Sequence, residues 1–241
     1  ILKYNRYPLA QILRDIMEIC KKELMCDVEM EFAADIVNSD GRNRLDLKLL
    51  QVRPVGEFFD DRSTSIENVS EEITNVVLQS SKALGAGFAE GMKYILYVPG
   101  DTFDSARTRE MAAEISEINN KLKQEDASYL LIGPGRWGSS DPWLGIPVLW
   151  SDISEAKMIV ETAIPGYRIE PSQGTHFFQN ITSLGVGYLT IDTVVNDGML
   201  NDDIIKGLEL VSETPLVKLY KAPDTIVGYI DRSSGKAIVG Y

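Results

Sequence analysis

Two short stretches near the N-terminus carry side chains whose types and spacing suit phosphate and metal chemistry. Glu29 and Glu31 alternate with apolar neighbours in the first stretch, and Gln51 and Arg53 do so in the second. Successive side chains of a strand point to opposite faces, so each pair shares one face of its own strand. If the two faces coincide, the oxygen atoms suit Mg²⁺ and the guanidinium suits phosphate. The alternative is a solvent-facing strand pair with a cross-strand salt bridge.

A glycine-rich segment, residues 131–141, forms the second candidate. It contains Gly133, Gly135 and Gly138 in a G-x-G-x-x-G arrangement after a predicted strand. A dinucleotide-binding loop needs a helix that opens directly after the loop, so that the helix N-terminus meets the pyrophosphate. No long amphipathic helix follows here, and we therefore reject a Rossmann interpretation.

Two interpretations of this glycine-rich segment stay open. A loop rich in backbone donors, together with Arg136, could bind an anion such as phosphate or carboxylate. Alternatively, Trp137 and Trp143 plug the core and the glycines permit tight turns. The segment is the best candidate for a ligand loop in the second half of the chain, with Gly133, Gly135 and Arg136 as its binding residues.

The third candidate is His176, the single histidine of the chain. A neutral imidazole nitrogen is a competent nucleophile near pH 7, and a phosphoimidazole stays reactive enough to pass its phosphoryl group on. Two phenylalanines follow the histidine directly, so the alternative is a histidine packed in the core for structural reasons. Exposure of His176 would favour the carrier role, and burial would favour the structural one.

The elements that must position these residues follow from apolar periodicity and turn residues. An amphipathic helix and a β-hairpin open the chain, and a polar stretch then ends this unit, so we expect domains at 1–56 and 57–241. Helices and strands intersperse in the second domain, which predicts a mixed α/β fold. The expected helices are 8–24 and 105–123, the latter with Ser105 as N-cap. The expected strands are 28–33, 45–52, 76–80, 94–98, 129–132, 146–149, 158–162, 187–191, 226–230 and 237–239.

Composition narrows the classes of partner. The chain has 241 residues and a formal net charge of −12, which disfavours nucleic acid and anionic membrane surfaces. No apolar run approaches the roughly 18 residues that span a bilayer. Cys20 and Cys26 form no zinc pattern and fit a reduced, cytoplasmic setting.

The paired stretches resemble the end of the nucleotide-binding domain of the phosphoenolpyruvate synthase and pyruvate, phosphate dikinase family. That family has an acidic-x-Glu-aromatic strand, a turn, and a strand that ends Leu-Gln-x-Arg-Pro. The resemblance covers roughly the first 55 residues. It implies an ATP-grasp-like subdomain in which Glu31 and Gln51 ligand the Mg²⁺ that bridges ATP phosphates. It further implies that Arg53 contacts the phosphates and that Glu29 supports the metal site.

The same family passes its phosphoryl group through a histidine on a mobile domain. Here Thr175 and His176 are followed by Gly185 at a spacing similar to that of the family motif. The serine that precedes the family's histidine is missing, and Thr182 stands in place of its downstream arginine. The second domain could therefore be a divergent form of the swivelling phosphohistidine domain.

The resemblance implies a fragment of an ATP-dependent phosphotransferase, which takes ATP and a small anionic substrate such as pyruvate or phosphoenolpyruvate. The family's adenine-binding elements lie upstream, so we expect an upstream domain of the same chain to complete the site and the fragment alone to be inactive. The rival is a non-catalytic domain that binds an anionic metabolite, or a regulatory one, attached to a degenerate ATP-grasp domain. It would use the glycine-rich loop and the region around His176.

Overall fold

A computed structural model describes residues 7–24, 28–39, 42–54, 65–85, 87–141, 143–167 and 185–241. The chain divides into two compact units, residues 1–57 and 58–241. The mixed α/β class expected from the sequence is confirmed, because both units combine helices with antiparallel strand pairs. None of the described helices is long and apolar enough to cross a membrane.

In its described residues, the first unit consists of one helix packed on a long β-hairpin. Apolar residues at helical spacing place one stripe of the helix against the hairpin, and Gln11 pairs with Asp15 one turn along the helix. Lys21 and Lys22 lie in the last turn, where positive charge complements the helix dipole. The predicted helix and hairpin are confirmed. Their bounds are α1 Leu9–Leu24, β1 Val28–Ser39 and β2 Arg42–Pro54.

The second unit is built on a sheet of ten strands within the described residues, mostly antiparallel. Within the described residues of this unit, ten strands and a further short pair alternate with three α-helices. The helices are α2 Ile66–Glu72, α3 Thr108–Gln124 and α4 Asp202–Lys206. The strands are β3 Val76–Ser80, β4 Lys82–Leu84, β5 Gly87–Tyr97, β6 Ser128–Pro134, β7 Arg136–Trp137, β8 Gly145–Ile146, β9 Ala156–Ala163, β10 Gly187–Asp192, β11 Met199–Leu200, β12 Glu209–Glu213, β13 Lys218–Asp231 and β14 Lys236–Gly240.

The sheet curls because β3 and β4 are one strand bent at Ser81. Strand β3 pairs with β14, whereas β4 pairs with β10 at the other end of the order β11-β3-β14-β13-β5-β6-β9-β10-β4. The buried Ser80 hydroxyl links β3 to β10 by donating to the Thr190 carbonyl oxygen at 2.7 Å. Lys82 on β4 forms an ion pair with Asp197, which follows β10, at 2.5 Å between Nζ and Oδ2.

The curled sheet has a core on each of its faces. Ile95, Ile132 and Met158 belong to the core on the inner face, together with side chains from six further elements. The outer face packs against α3, whose Met111 and Ile115 recur at helical spacing and are fully buried. Both of these cores are formed by apolar side chains.

Four neighbouring strands of the described sheet, β5, β6, β9 and β10, run parallel. The crossover from β5 to β6 contains α3, as parallel pairing requires a long connection. The carboxyl ends of the four strands therefore meet at one edge of the sheet, which we call the carboxyl edge. Ligands of open α/β sheets bind beside this kind of edge.

Several predicted bounds are wrong. Ser105 is not the N-cap: the Asp104 carboxylate accepts from the Ala106 amide at 2.9 Å and caps a 3₁₀ turn that precedes α3. The strand expected at 146–149 is the two-residue β8, because Pro147 cannot donate to a ladder. The expected strand 94–98 covers only the last four residues of the longer β5, which ends at Tyr97.

Candidate functional site

The hairpin of the first unit brings the predicted phosphate-site residues into register. Glu29 lies opposite Arg53, and Glu31 lies opposite Gln51. Directly opposed residues of an antiparallel pair have side chains on the same face, so Glu31 and Gln51 are neighbours across the hairpin. The condition set by the sequence, that the two strand faces coincide, is met for this pair. The roles of the four residues stay a prediction.

The donor set at this end of the hairpin is consistent with Mg²⁺, which prefers carboxylate and amide oxygens and usually keeps several further ligands from phosphate or water. Glu31 is half-buried, and Glu29 and Gln51 are exposed. Across the described ranges, no group of three or more His, Cys, Asp or Glu side chains is arranged to hold a metal ion. The part of Glu31 and Gln51 in holding a metal ion therefore stays a prediction.

The glycine-rich segment lies at the carboxyl edge, and its Gly133 makes room for an indole ring. Trp137 folds back over β6 and is 1% exposed. A Cβ on Gly133 would lie 2.8 Å from Cζ2 of Trp137 and 3.1 Å from Cβ of Val98. The indole Nε1 donates to the Val160 carbonyl oxygen at 3.0 Å, which fixes the ring against β9.

The backbone donors of the segment are used inside the protein. The amides of Gly135, Arg136 and Gly138 donate to carbonyl oxygens of Thr162, Leu144 and Ile146, at 2.9–3.1 Å. The intervening amide, that of Trp137, donates to Oε1 of Glu161 at 3.1 Å. These four consecutive amides are therefore not available to cradle an anion. What stays a prediction for this segment is a contact made by the half-buried Arg136 side chain.

The carboxylate of Glu161 stabilises this loop by accepting the hydrogen bond from the Trp137 amide. Glu161 was not identified from the sequence. Glu161 is 5% exposed and lies near the carboxyl end of β9, opposite Gly133 on β6. A carboxylate buried this deeply needs hydrogen-bond donors. The signal in the sequence was a charged residue that directly follows the apolar residues Met158–Val160, where a strand reaches the edge of a sheet.

At the carboxyl edge, the loop at residues 163–167 contacts two further segments, residues 98–104 and the described residues of 135–144. The rings of Phe103 and Tyr167 lie 4.7 Å apart between centroids, and the Tyr167 hydroxyl donates to the Trp143 carbonyl oxygen at 3.0 Å. Burial, together with the nearby Asp141 carboxylate, raises the pKa of Tyr167 to about 12. The phenol therefore stays protonated at neutral pH and keeps this hydrogen bond.

Trp143 is not a core residue. The sequence offered both Trp137 and Trp143 as core plugs, and this is correct only for Trp137, because Trp143 is 64% exposed. Its amide donates to Oδ1 of Asp141 at 3.0 Å, and its carbonyl oxygen accepts from Tyr167. A turn fixed at both ends thus presents the indole to solvent.

His176, Thr175 and Thr182 lie outside the described residues, so the phosphocarrier hypothesis stays a prediction from the sequence. Comparison with protein-family models, with curated proteins and with solved structures returned no match to this chain. The resemblance to the phosphoenolpyruvate synthase family therefore depends on the residues of the two hairpin strands and their spacing.

Proposed function

We propose that this chain contributes the phosphate and Mg²⁺ side of an ATP site in a phosphotransferase similar to phosphoenolpyruvate synthase. The observation that supports the proposal is the register of β1 and β2, in which Glu31 faces Gln51 and Glu29 is paired with Arg53. A different register would scatter the same residues over two faces. The spacing of the four residues in the sequence and their pairing in the hairpin thus both support a single shared site.

Each residue has a distinct role in the proposed site. Glu31 and Gln51 supply oxygen ligands to Mg²⁺, and Glu29 supports them with a second carboxylate. Arg53 binds phosphate oxygens, for which a guanidinium is suited by charge and geometry. Bound Mg²⁺ supplies positive charge that offsets the negative charge of the transferring phosphoryl group. His176 is assigned as phosphoryl acceptor on its sequence motif alone, in line with the reactivity of a neutral imidazole.

The test is a titration of the full-length protein with ATP, in the presence and absence of Mg²⁺. We expect Glu31→Gln and Arg53→Ala each to weaken Mg²⁺-dependent binding by about tenfold or more, which corresponds to at least ~1.4 kcal/mol. Lys48→Ala is the matched control, because it removes an exposed positive charge from the same strand. Equal losses for Arg53→Ala and Lys48→Ala would mean that general electrostatics, and not a site, causes the effect.

A second candidate function concerns residues 58–241, as a domain that binds a small anionic metabolite. It is favoured by the convergence of three loops at the carboxyl edge, where Arg136 is half-buried. Arg136→Ala would then abolish binding of a small carboxylate or phosphate, whereas Arg53→Ala would leave that binding unchanged. Binding unaffected by Arg136→Ala would eliminate this candidate.

A further inference from the structure

The hairpin contains a β-bulge directly beside the proposed phosphate site. Glu31 pairs with Gln51, but the next residue, Phe32, pairs with Leu49. Leu50 is thus an extra residue of β2 without a partner in β1. A bulge bends its strand, increases the local twist and re-aims the neighbouring side chains.

Packing within the first unit does not explain this bulge. Leu50 is 62% exposed, so the extra residue buries little side chain. Leu49 beside it is also exposed. An irregular ladder loses hydrogen bonds, and such an insertion needs a compensating benefit in stability or in function.

The bulge divides the hairpin into two parts. The short part holds the pairs Val28–Pro54 to Glu31–Gln51, which include all four proposed site residues. The long part holds the pairs from Phe32–Leu49 to the turn. Because a bulge adds twist between the two parts, the short part is rotated relative to the long part. The residue immediately after the bulge in β2 is Gln51, a proposed Mg²⁺ ligand.

We propose that the bulge at Leu50 is a positioning device, which aims Gln51 at the metal that Glu31 also ligands. The inference rests on the proposed function and deepens it, since it assigns a role to a residue with no ligand atoms. A flat ladder would leave Gln51 in the pleat of an ordinary strand. The bulge instead fixes its direction by the backbone, before any ligand is bound.

Deletion of Leu50 is a clean test, because it removes the bulge without a change of register. After the deletion, Leu49 pairs with Phe32 and Gln51 with Glu31 in one continuous ladder, and every residue keeps its face. The matched control is Leu50→Ala, which retains the extra residue and changes only the exposed side chain. ATP affinity of the full-length protein would be measured at several Mg²⁺ concentrations, with amide hydrogen exchange to follow the hairpin.

For the deletion, we expect Mg²⁺-dependent ATP affinity to fall by about tenfold or more, with exchange protection of residues 32–49 retained. Leu50→Ala should bind as the wild type does. Equal affinity of the deletion variant and the wild type would overturn the positioning role and leave the proposed function intact. Loss of hairpin protection would also overturn it, because the bulge would then be needed for folding. Absence of Mg²⁺-dependent binding in the wild type would refute the proposed function itself.

Discussion

Substitution of Gly133 by alanine tests whether the glycine-rich segment is built for packing or for ligand contact. The new Cβ would lie 2.8 Å from Cζ2 and 3.1 Å from Cη2 of Trp137, which is fully buried. It would also lie 3.1 Å from Cβ of Val98. Contacts this short force a shift of the ring or of the strand, because a close-packed core has no empty volume to absorb a methyl group.

The size of the effect follows from overpacking. An added methyl group that displaces a well-packed ring costs about 1–3 kcal/mol. We take ~2 kcal/mol, which corresponds to a Tm lowered by about 4–8 °C for a unit of this size. Trp137→Phe alone removes the two clashing ring atoms and the hydrogen bond to Val160, and it should cost ~2 kcal/mol.

The double variant gives the decisive comparison. Because Trp137→Phe removes the atoms that the new methyl group would strike, the two losses should be less than additive by about 1 kcal/mol or more. Urea unfolding, followed by intrinsic fluorescence and circular dichroism, measures all four corners of this cycle. Additive losses, or a Gly133→Ala variant as stable as the wild type, would refute the packing role. Such a result would favour the prediction that Gly133 contacts a ligand.

Three further outcomes test the described structure. Trp143→Ala should change stability by no more than ~0.5 kcal/mol in thermal unfolding, because its indole is 64% exposed. Asn119→Ala should cost about 3 kcal/mol in urea unfolding, since the buried Tyr129 hydroxyl and the half-buried Glu155 amide lose the oxygen that accepts their hydrogen bonds. The Lys82 ammonium, with the Ser81 hydroxyl, lowers the pKa of Asp197, so this pair stabilises the fold above about pH 4 and the benefit is lost as pH falls through the lowered pKa. Lys82→Gln should reduce that acid-dependent part of the unfolding free energy in a pH series.

Elements in which apolar residues recur with a clear period were predictable from the sequence. The helix at 9–24, the hairpin and α3 follow from apolar spacing and turn residues, and the buried strands β6, β9 and β10 follow from short apolar runs. Among the elements that the sequence missed, α2 and α4 are seven and five residues long, and the strands β4, β7 and β11 are two or three, which is too short to establish a period. The first half of β13 was also missed, because Pro223 and charged residues at every third position interrupt its apolar pattern.

The candidate site was predictable in part. Period-two geometry put Glu29 with Glu31 and Gln51 with Arg53 on shared strand faces, but it did not indicate the extra residue at Leu50, since this bulge contains no glycine that would mark it. Tertiary contacts determine the hydrogen bonding of the glycine-rich segment and the placement of its tryptophans. Local pattern could not distinguish amides that donate to β9 from amides that cradle an anion, and it could not place Trp137 inside and Trp143 outside.

Amide hydrogen exchange of the full-length protein, with and without Mg²⁺ and ATP, tests the central proposal most directly because it locates the bound ligand. We expect Mg²⁺ and ATP together to slow exchange in residues 28–31 and 51–54, and neither to do so alone. No change in these residues would contradict the proposal. Protection confined to the loops 98–104, 135–144 and 163–167 would contradict it equally and would favour a metabolite-binding domain at the carboxyl edge.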